Sequence, residues 1–187
     1  MLIEKWKLNE SEYIYQDNWF NARKDRCLKS DGSEVYPYYV LEYTDWACGL
    51  GITKNNEIII VKQYRHALGE ICIELPGGCV DVSDKDLSET IEREFLEETG
   101  YSFINTEYLG FTSSNASINA NKMHMFLLTG GEKIKEQQLD KNEEIEVLLM
   151  SKSELKELLQ SNKIVQSMHI TTIFYALQKL NLLEIKL

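Results

Sequence analysis

One short stretch restricts the fold more than any other part of the chain, because it places acidic residues on the apolar stripe of a helix. The helical spacing i, i+4, i+7, i+11 is occupied by Leu87, Ile91, Glu94 and Glu98. Gly100 is placed to end this helix, because glycine adopts a left-handed conformation at little cost. The pattern therefore predicts a helix that carries carboxylates toward the protein interior.

The acidic residues of this stretch repel one another. Glu97 and Glu98 follow Glu94 by three and four residues, spacings at which like charges destabilise a helix by roughly a few tenths of a kcal/mol per pair. Moved toward a core they cost more, unless a cation neutralises them. Carboxylate oxygens suit Mg²⁺ and Mn²⁺, so the cluster predicts a divalent metal site. The alternative is a solvated acidic face, which the shared stripe with Leu87 and Ile91 disfavours.

The run from Arg93 to Tyr101 resembles the second half of the Nudix box, whose pattern is Arg-Glu-apolar-any-Glu-Glu-any-Gly-apolar, at every defined position. The first half departs from the box. Counting from Gly78, the expected glutamate is replaced by Asp84, and the gap from there to Arg93 is one residue longer. In the family the acid at this place pairs with the box arginine and holds the loop. The resemblance implies a metal-dependent hydrolase.

The order of segments resembles that of the ADP-ribose pyrophosphatase group of this family. The chain begins this order with a strand, followed by Gln63-Tyr64-Arg65, by Glu74-Leu75-Pro76-Gly77-Gly78 and by the box. After the box come a strand, a loop, the segment Glu143-Glu144-Ile145-Glu146-Val147 and two helices. Periodicity alone leaves α+β and three-layer α/β open, whereas the resemblance implies an α/β/α sandwich with a mixed sheet. The substrate that it implies is a nucleoside diphosphate linked to another group, foremost ADP-ribose or another nucleotide sugar, cut into a nucleoside monophosphate and a sugar phosphate.

The region at 1–45 is rich in aromatic and β-branched residues, and Ser30-Asp31-Gly32 is a turn signal between two strand-like runs. We therefore expect a small antiparallel sheet there, ahead of a box domain at 46–187. In the group such an extension serves dimerisation, so the resemblance implies a homodimer. Most of its aromatic side chains are expected to pack on the sheet, and Trp19 and Tyr39 are candidates for stacking on a nucleotide base.

The other elements follow from local patterns. Apolar runs predict strands at 57–61, 71–75, 102–111, 122–128 and 145–150, and a polar loop is expected at 130–144. Ser151 and Glu154 form a capping pattern that predicts a helix to about Gln160, and a second helix is expected at 164–180.

The resemblance also implies roles for single residues. The metal, Mg²⁺ with Mn²⁺ able to replace it, is expected on the carbonyl of Gly78 and on three carboxylates, those of Glu94, Glu97 and Glu98. The catalytic set is Glu97 together with Arg93, which is expected to hold the site without touching substrate, and a general base in the loop after the box. Glu143 is the first choice for this base and Glu144 the second, the alternative being two solvated loop acids.

Two further residues are candidates for substrate binding. The planar fork of Arg65 suits two phosphate oxygens, and a salt bridge to Glu74 is an equally weighted alternative. Glu74 itself is counted with the substrate-binding residues because it belongs to the segment that precedes the box. The three histidines, His66, His124 and His169, are scattered along the chain, and we expect them to be packing residues.

Composition limits the classes of function. The net charge of −10 disfavours nucleic acid as a partner, because phosphate backbones require lysine and arginine. The four cysteines show no Cys-x-x-Cys spacing and are expected to be reduced thiols of a cytoplasmic protein. No apolar run is long enough to span a membrane.

Two alternatives to a nucleotide-sugar hydrolase stay open. The first is a non-catalytic module of the same fold that senses a ligand, although all three box carboxylates are present here. The second is a dinucleoside-polyphosphate or mRNA-cap hydrolase, which the segment from Glu74 to Gly78 disfavours.

Overall fold

The computed structural model describes residues 3–183, and these form two units. The first unit comprises the residues up to Asp45 together with Ser113–Lys122. The second unit comprises Trp46–Thr112 and the residues from Met123 onward. No local signal in the sequence indicated that the segment at 113–122 groups with the first unit.

The first unit is built on an antiparallel sheet of three strands, β1 (Lys7–Gln16), β2 (Phe20–Leu28) and β3 (Glu34–Tyr43). The predicted small sheet is thus confirmed. All ten residues of β1 are exposed. The segment at 113–122 is hydrogen-bonded to β3, because Leu41 donates to the carbonyl of Ile118 at 2.8 Å and accepts from Ala120 at 2.9 Å.

Within residues 46–183, the second unit contains one mixed sheet and three helices. Its strands are β4 (Trp46–Thr53), β5 (Ile58–Arg65), β6 (Glu70–Glu74), β7 (Gly77–Cys79), β8 (Tyr101–Ser102), β9 (Asn105–Thr112), β10 (Met123–Lys133) and β11 (Ile145–Met150). The sheet runs β11-β5-β4-β10-β8, with β6 on β5, β7 on β4 and β9 on β10. Strands β4 and β10 are parallel, and the other pairs are antiparallel. The helices are α1 (Leu87–Thr99), α2 (Lys152–Gln160) and α3 (Ser167–Lys179).

Side chains that alternate between the two faces of the central strands pack against helices on both sides of the sheet. Ile58 and Ile60 belong to a core cluster that includes residues of α2 and α3, whereas Ile59 belongs to a cluster with Ile91 and Phe95 of α1. Because successive side chains of a strand point to opposite faces, the two clusters lie on opposite sides of the sheet. The unit is therefore an α/β/α sandwich, as expected.

Helix α1 ends at Gly100, as its sequence predicts, and Asp86 caps its first turn. The side chain of Asp86 accepts hydrogen bonds from the backbone of Ser88 and Glu89, at 2.9 and 3.0 Å, which satisfies amides of the first turn. Gly100 ends the helix at φ 78°, and its N–H donates to the carbonyl of Leu96. The apolar stripe differs slightly from the prediction, because Phe95 is fully buried beside Ile91.

Other boundaries differ in detail. Strand β10 continues to Lys133 because it pairs with β8, so the polar loop begins later than expected. Helix α3 begins at Ser167 and not at Ile164, since the backbone of Gln166 is extended, with φ −81° and ψ 114°. The four cysteines are free. None of the helices within residues 3–183 is long and apolar enough to cross a membrane.

Candidate active site

The glutamates of α1 differ in how far they are removed from water. Glu98 is 4% exposed and accepts a hydrogen bond from the backbone N–H of Gly77 at 3.0 Å. Burial raises the pKa of Glu98 well above its ordinary value, and burial likewise raises the pKa of Glu94 to about 7. The side chain of Glu97 is 41% exposed. The helix thus holds two carboxylates inward and one at the surface.

Arg93 faces these carboxylates. Its Nε and Nη2 atoms each donate to Asp84 at 3.1 Å, and Nη1 donates to Glu94 at 2.8 Å and to Glu97 at 3.1 Å. The hydrogen bonds from Arg93 are the main cause that lowers the pKa of Asp84 to about 2, and the Thr90 hydroxyl donates to the same carboxylate at 2.8 Å. The shorter aspartate therefore reaches the arginine across the longer loop.

The glutamates and the turn before the helix suit a divalent cation. A Cβ atom on Gly78 would lie 2.5 and 2.6 Å from the two carboxylate oxygens of Glu94, so the glycine backbone lies directly against that group. Ionising the buried Glu98 and the partly buried Glu94 is unfavourable unless positive charge is near, and hard oxygen donors favour Mg²⁺ or Mn²⁺. Within residues 3–183 no three acidic, histidine or cysteine side chains are already gathered around one point, and Arg93 lies against Glu94 and Glu97.

The loop between β10 and β11 is hydrogen-bonded to the C-terminal end of α1. The side-chain amide of Gln137 donates to the carbonyls of Glu98, at 2.6 Å, and Ile145, at 3.1 Å. The backbone N–H of Gln138 donates to the carbonyl of Glu97 at 2.8 Å. Sequence reasoning missed both glutamines, because a polar loop has no periodicity that marks such contacts.

Glu143 lies in the last turn of this loop and is exposed. Its backbone N–H donates to the carbonyl of Asp140, and its carboxylate accepts from the Asp140 N–H, both at 3.0 Å. Burial is the largest cause of the raised pKa values of Glu94 and Glu98. The negative charge of Glu143 is a smaller cause in both cases, so Glu143 influences the ionisation of these two carboxylates. Glu144 is exposed as well.

Arg65 and Glu74 form the salt bridge that the sequence left as an alternative. Glu74 is 1% exposed and accepts from Arg65 Nε at 3.0 Å and Nη2 at 2.6 Å, and from Gln63 at 3.1 Å. Arg65 is partly exposed, so its guanidinium group lies at the surface while its partner is buried. A groove of about 510 Å³ is lined nearby by Lys62, Gln63, Tyr64, Ile71, Leu139, Glu143, Glu144, Ile145 and Glu146.

The two aromatic candidates belong to the first unit, whereas every other predicted site residue belongs to the second. Trp19 lies in the turn between β1 and β2 and is 83% exposed. Its backbone N–H donates to the carboxylate of Asp17 at 2.7 Å. Tyr39 lies on β3 and is half-exposed.

The histidines have different surroundings. His124 is buried, and its Nδ1 lies 3.0 Å from the hydroxyl of Tyr108. His169 is fully buried, and its Nδ1 accepts the N–H of Leu75 at 2.7 Å. His66 is exposed after the end of β5, and its ring lies beside that of Tyr64 with centroids 6.1 Å apart.

Two family models match the chain. The model described as the nucleoside diphosphate sugar hydrolase N-terminal domain matches residues 6–41, and the NUDIX domain model matches residues 45–168. A crystal structure of an ADP compounds hydrolase has a TM-score of 0.83 and covers 98% of this chain and 100% of its own, at 15% identity. This likeness shows the fold.

Several characterised proteins are similar in sequence. A methanol dehydrogenase activator from Bacillus methanolicus is 26% identical over 90% of this chain and 94% of its own length. An ADP-ribose pyrophosphatase from Bacillus subtilis is 27% identical over 72% of this chain and 71% of its own. An ADP-ribose pyrophosphatase from Mycobacterium tuberculosis is 27% identical over 64% of this chain and 58% of its own length. With the NUDIX domain model matching well over half of its residues, this chain belongs to the Nudix hydrolase family.

Proposed function

We propose that this hydrolase cuts a nucleoside diphosphate linked to a second group, with ADP-ribose or another nucleotide sugar as substrate, into a nucleoside monophosphate and a sugar phosphate. The observation that carries the proposal is the set of carboxylates on α1, in which Glu98 is buried and the partly buried Glu94 lies directly against the Gly78 turn. Relatives named ADP-ribose pyrophosphatase and the matched nucleoside diphosphate sugar hydrolase domain support the substrate class.

Nudix hydrolases generally use a divalent metal, and the residues here fit one. The carbonyl of Gly78 and the carboxylates of Glu94, Glu97 and Glu98 would hold Mg²⁺, or Mn²⁺ in its place. When bound, such an ion neutralises diphosphate oxygens and lowers the pKa of water. Arg93 donates to two of these carboxylates and so fixes the positions of Glu94 and Glu97.

Glu143 is proposed as the general base. It would accept the proton of the water that attacks phosphorus, while the leaving phosphate departs with the electron pair of the broken phosphorus–oxygen bond. Its exposed carboxylate and its electrostatic effect on Glu94 and Glu98 support this role. The contacts of Gln137 and Gln138 with α1 keep the loop beside the carboxylates.

Arg65 is proposed to bind a substrate phosphate through the exposed part of its guanidinium group. Glu74 contributes indirectly, because its buried carboxylate orients that group through Nε and Nη2. Trp19 and Tyr39 are proposed to stack on the base, which their exposure permits.

The exposed β1 supports a homodimer formed through the first unit, since an open strand of this length offers unpaired backbone groups to a second chain. The four free thiols support a reducing compartment, and we place the protein in the cytoplasm.

A second candidate function is regulation of another enzyme. The relative from Bacillus methanolicus, which is named an activator of a dehydrogenase and aligns over nearly its whole length, favours it. The carboxylates retained on α1 favour hydrolysis, and both functions are compatible if the activation requires cleavage.

A coupled assay tests the proposal. Nucleotide sugars are incubated with the protein and Mg²⁺, a phosphatase is added, and released phosphate is measured. Turnover of ADP-ribose that disappears with excess EDTA and returns with Mg²⁺ is the expected result. Full turnover in EDTA would contradict the metal requirement. If no nucleoside diphosphate conjugate is cleaved, the hydrolase proposal is wrong and the regulatory candidate is preferred.

A further inference from the structure

His169 connects helix α3 to the segment that precedes the box helix. The ring is fully buried, and Trp46 packs edge-on against it with ring centroids 5.6 Å apart. Its Nδ1 atom accepts the backbone N–H of Leu75 at 2.7 Å. Leu75 is itself 2% exposed and lies outside the strand pairing of the sheet, so water cannot replace this acceptor without opening the core.

Leu75 lies between two parts of the candidate active site. The residue before it is Glu74, whose buried carboxylate holds Arg65. Two residues after it comes Gly77, whose N–H donates to the buried carboxylate of Glu98. A displacement of the Leu75 amide would therefore be transmitted in both directions, toward the proposed phosphate ligand and toward the proposed metal ligands.

The chemistry of the ring indicates why a histidine stands here. An Nδ1 atom that accepts a hydrogen bond requires the proton of the neutral ring on Nε2. Nε2 is buried and has no hydrogen-bond partner among residues 3–183. Leaving a buried donor without a partner is unfavourable, so the Nε2 side gives histidine no advantage over an apolar ring. Burial also lowers the pKa of His169 to about 3, which keeps Nδ1 free to accept. The feature that a histidine adds to this core is thus the acceptor.

We propose that His169 is a positioning residue, whose Nδ1 holds the Leu75 amide and thereby aligns Glu74 with Arg65 on one side and Gly77 with Glu98 on the other. This inference rests on the proposed function, because the two ends matter through phosphate and metal binding. The competing explanation is that His169 only fills space between α3 and the sheet.

Three substitutions separate the explanations. In His169→Asn the side-chain oxygen takes the place of Nδ1 and nothing takes that of Nε2. In His169→Gln the amide extends toward the Nε2 position, and in His169→Phe the ring is kept without any acceptor. Mn²⁺ binding, followed by electron paramagnetic resonance of the free ion, is measured beside kcat and KM for ADP-ribose and beside thermal stability.

We expect His169→Asn to stay within about twofold of wild type in Mn²⁺ affinity and kcat. Loss of the hydrogen bond in His169→Gln and His169→Phe should weaken Mn²⁺ binding and lower kcat by roughly fivefold to tenfold each. In the same two variants, hydrogen exchange at the Leu75 and Gly77 amides should accelerate. Wild-type behaviour of the Phe variant, or equal impairment of the Asn and Gln variants, would overturn the proposal.

The wild-type protein provides an independent readout if the substitutions prevent folding. Nitrogen-15 spectra should report His169 as the Nε2–H tautomer, unchanged between about pH 5 and 8, and the Nδ1–H tautomer would refute the proposal. Failure of the proposed function would look different. A wild type that binds Mn²⁺ but cleaves no nucleotide sugar contradicts the function alone, and the order of Mn²⁺ affinities among the variants still decides the role of His169.

Discussion

Gly78 lies so close to Glu94 that a Cβ atom on the glycine would be 2.5 Å from the carboxylate carbon of the glutamate. Such a contact cannot form, so any side chain at position 78 must push the glutamate away or shift the turn. We expect Gly78→Ala to reduce kcat for nucleotide-sugar cleavage by at least about tenfold, because proposed metal ligands are displaced. Steady-state kinetics over a range of Mg²⁺ concentrations measure this. Unchanged kcat at every concentration would contradict the placement of Glu94 in the site.

Removal of one carboxylate tests the metal site more directly. Glu97→Gln should abolish measurable turnover, because an anionic ligand worth several kcal/mol of transition-state stabilisation is lost. The fold should persist, since the substitution removes a charge that repels its neighbours on the helix. Calorimetric titration with Mg²⁺ and circular dichroism serve as the measurements. Glu92→Gln, on the exposed side of the same helix, is the matched control and should behave as wild type. An unfolded or fully active Glu97→Gln protein would refute the expectation.

The loop acid is tested by a pair of adjacent substitutions. Glu143→Gln should lower kcat by about 10²–10⁴-fold, the range for lost general acid–base catalysis, while Mg²⁺ affinity and KM stay near wild type. Glu144→Gln should change kcat little. If the effects are exchanged, the base is the neighbouring residue. If neither variant is impaired, the base lies outside this loop.

Metal-free stability should depend on pH through Glu94. Its pKa is raised to about 7, above the value of about 4.3 in an unfolded chain, so the folded state binds more protons between these values. Stability from this group is therefore complete at low pH and is lost as the pH rises toward 7. The melting temperature in EDTA should fall relative to that of Glu94→Gln between about pH 5 and pH 8, and Mg²⁺ should restore it.

His169 acts in the opposite sense, because its lowered pKa reduces stability as the pH falls below about 6.5. For this reason the difference between wild type and Glu94→Gln is the quantity to follow, since His169 contributes equally to both proteins. A difference that does not vary with pH would show that Glu94 is ionised at all these values.

The exposed first strand leads to a prediction about assembly. Strand β1 carries Leu8, Tyr13, Ile14 and Tyr15 at about half exposure, which is unusual for apolar side chains on a sheet edge. We expect light scattering at micromolar concentration to give twice the mass of one chain. Ile14→Lys should shift the protein toward the monomer by placing a charge on this surface. A monomeric wild type would be incompatible with a dimer built on β1.

Helix α1 could be predicted because its residues carry every local signal that a helix needs. The stripe of Leu87 and Ile91 and the terminal Gly100 act within a few residues of one another. The salt bridge between Arg65 and Glu74 could be named as an alternative because both residues lie close in the sequence, on the β5–β6 hairpin. Asp84 reached Arg93 although the loop is longer, because the turn at 81–84 folds back on itself.

Contacts made across long sequence distances could not be predicted. Gln137 donates to the carbonyl of Glu98, 39 residues away, and no pattern in a polar loop selects one glutamine over another. His169 meets Leu75 across 94 residues, and only the packing of α3 on the sheet brings them together. Trp19 and Tyr39 illustrate the same limit, because neither an aromatic residue in a turn nor one on a strand gives a local sign of where a ligand would lie.

The hydrogen bonds that join the segment at 113–122 to Leu41 have an evolutionary consequence. This segment connects β9 with β10 of the second unit, yet its backbone partners lie in β3 of the first. A recombination event that replaced everything before residue 46 would deprive Ile118 and Ala120 of those partners. A strand from a related gene therefore keeps these backbone hydrogen bonds only if it has the length and register of β3, and we expect insertions and deletions in β3 and in the β9–β10 connection to occur together.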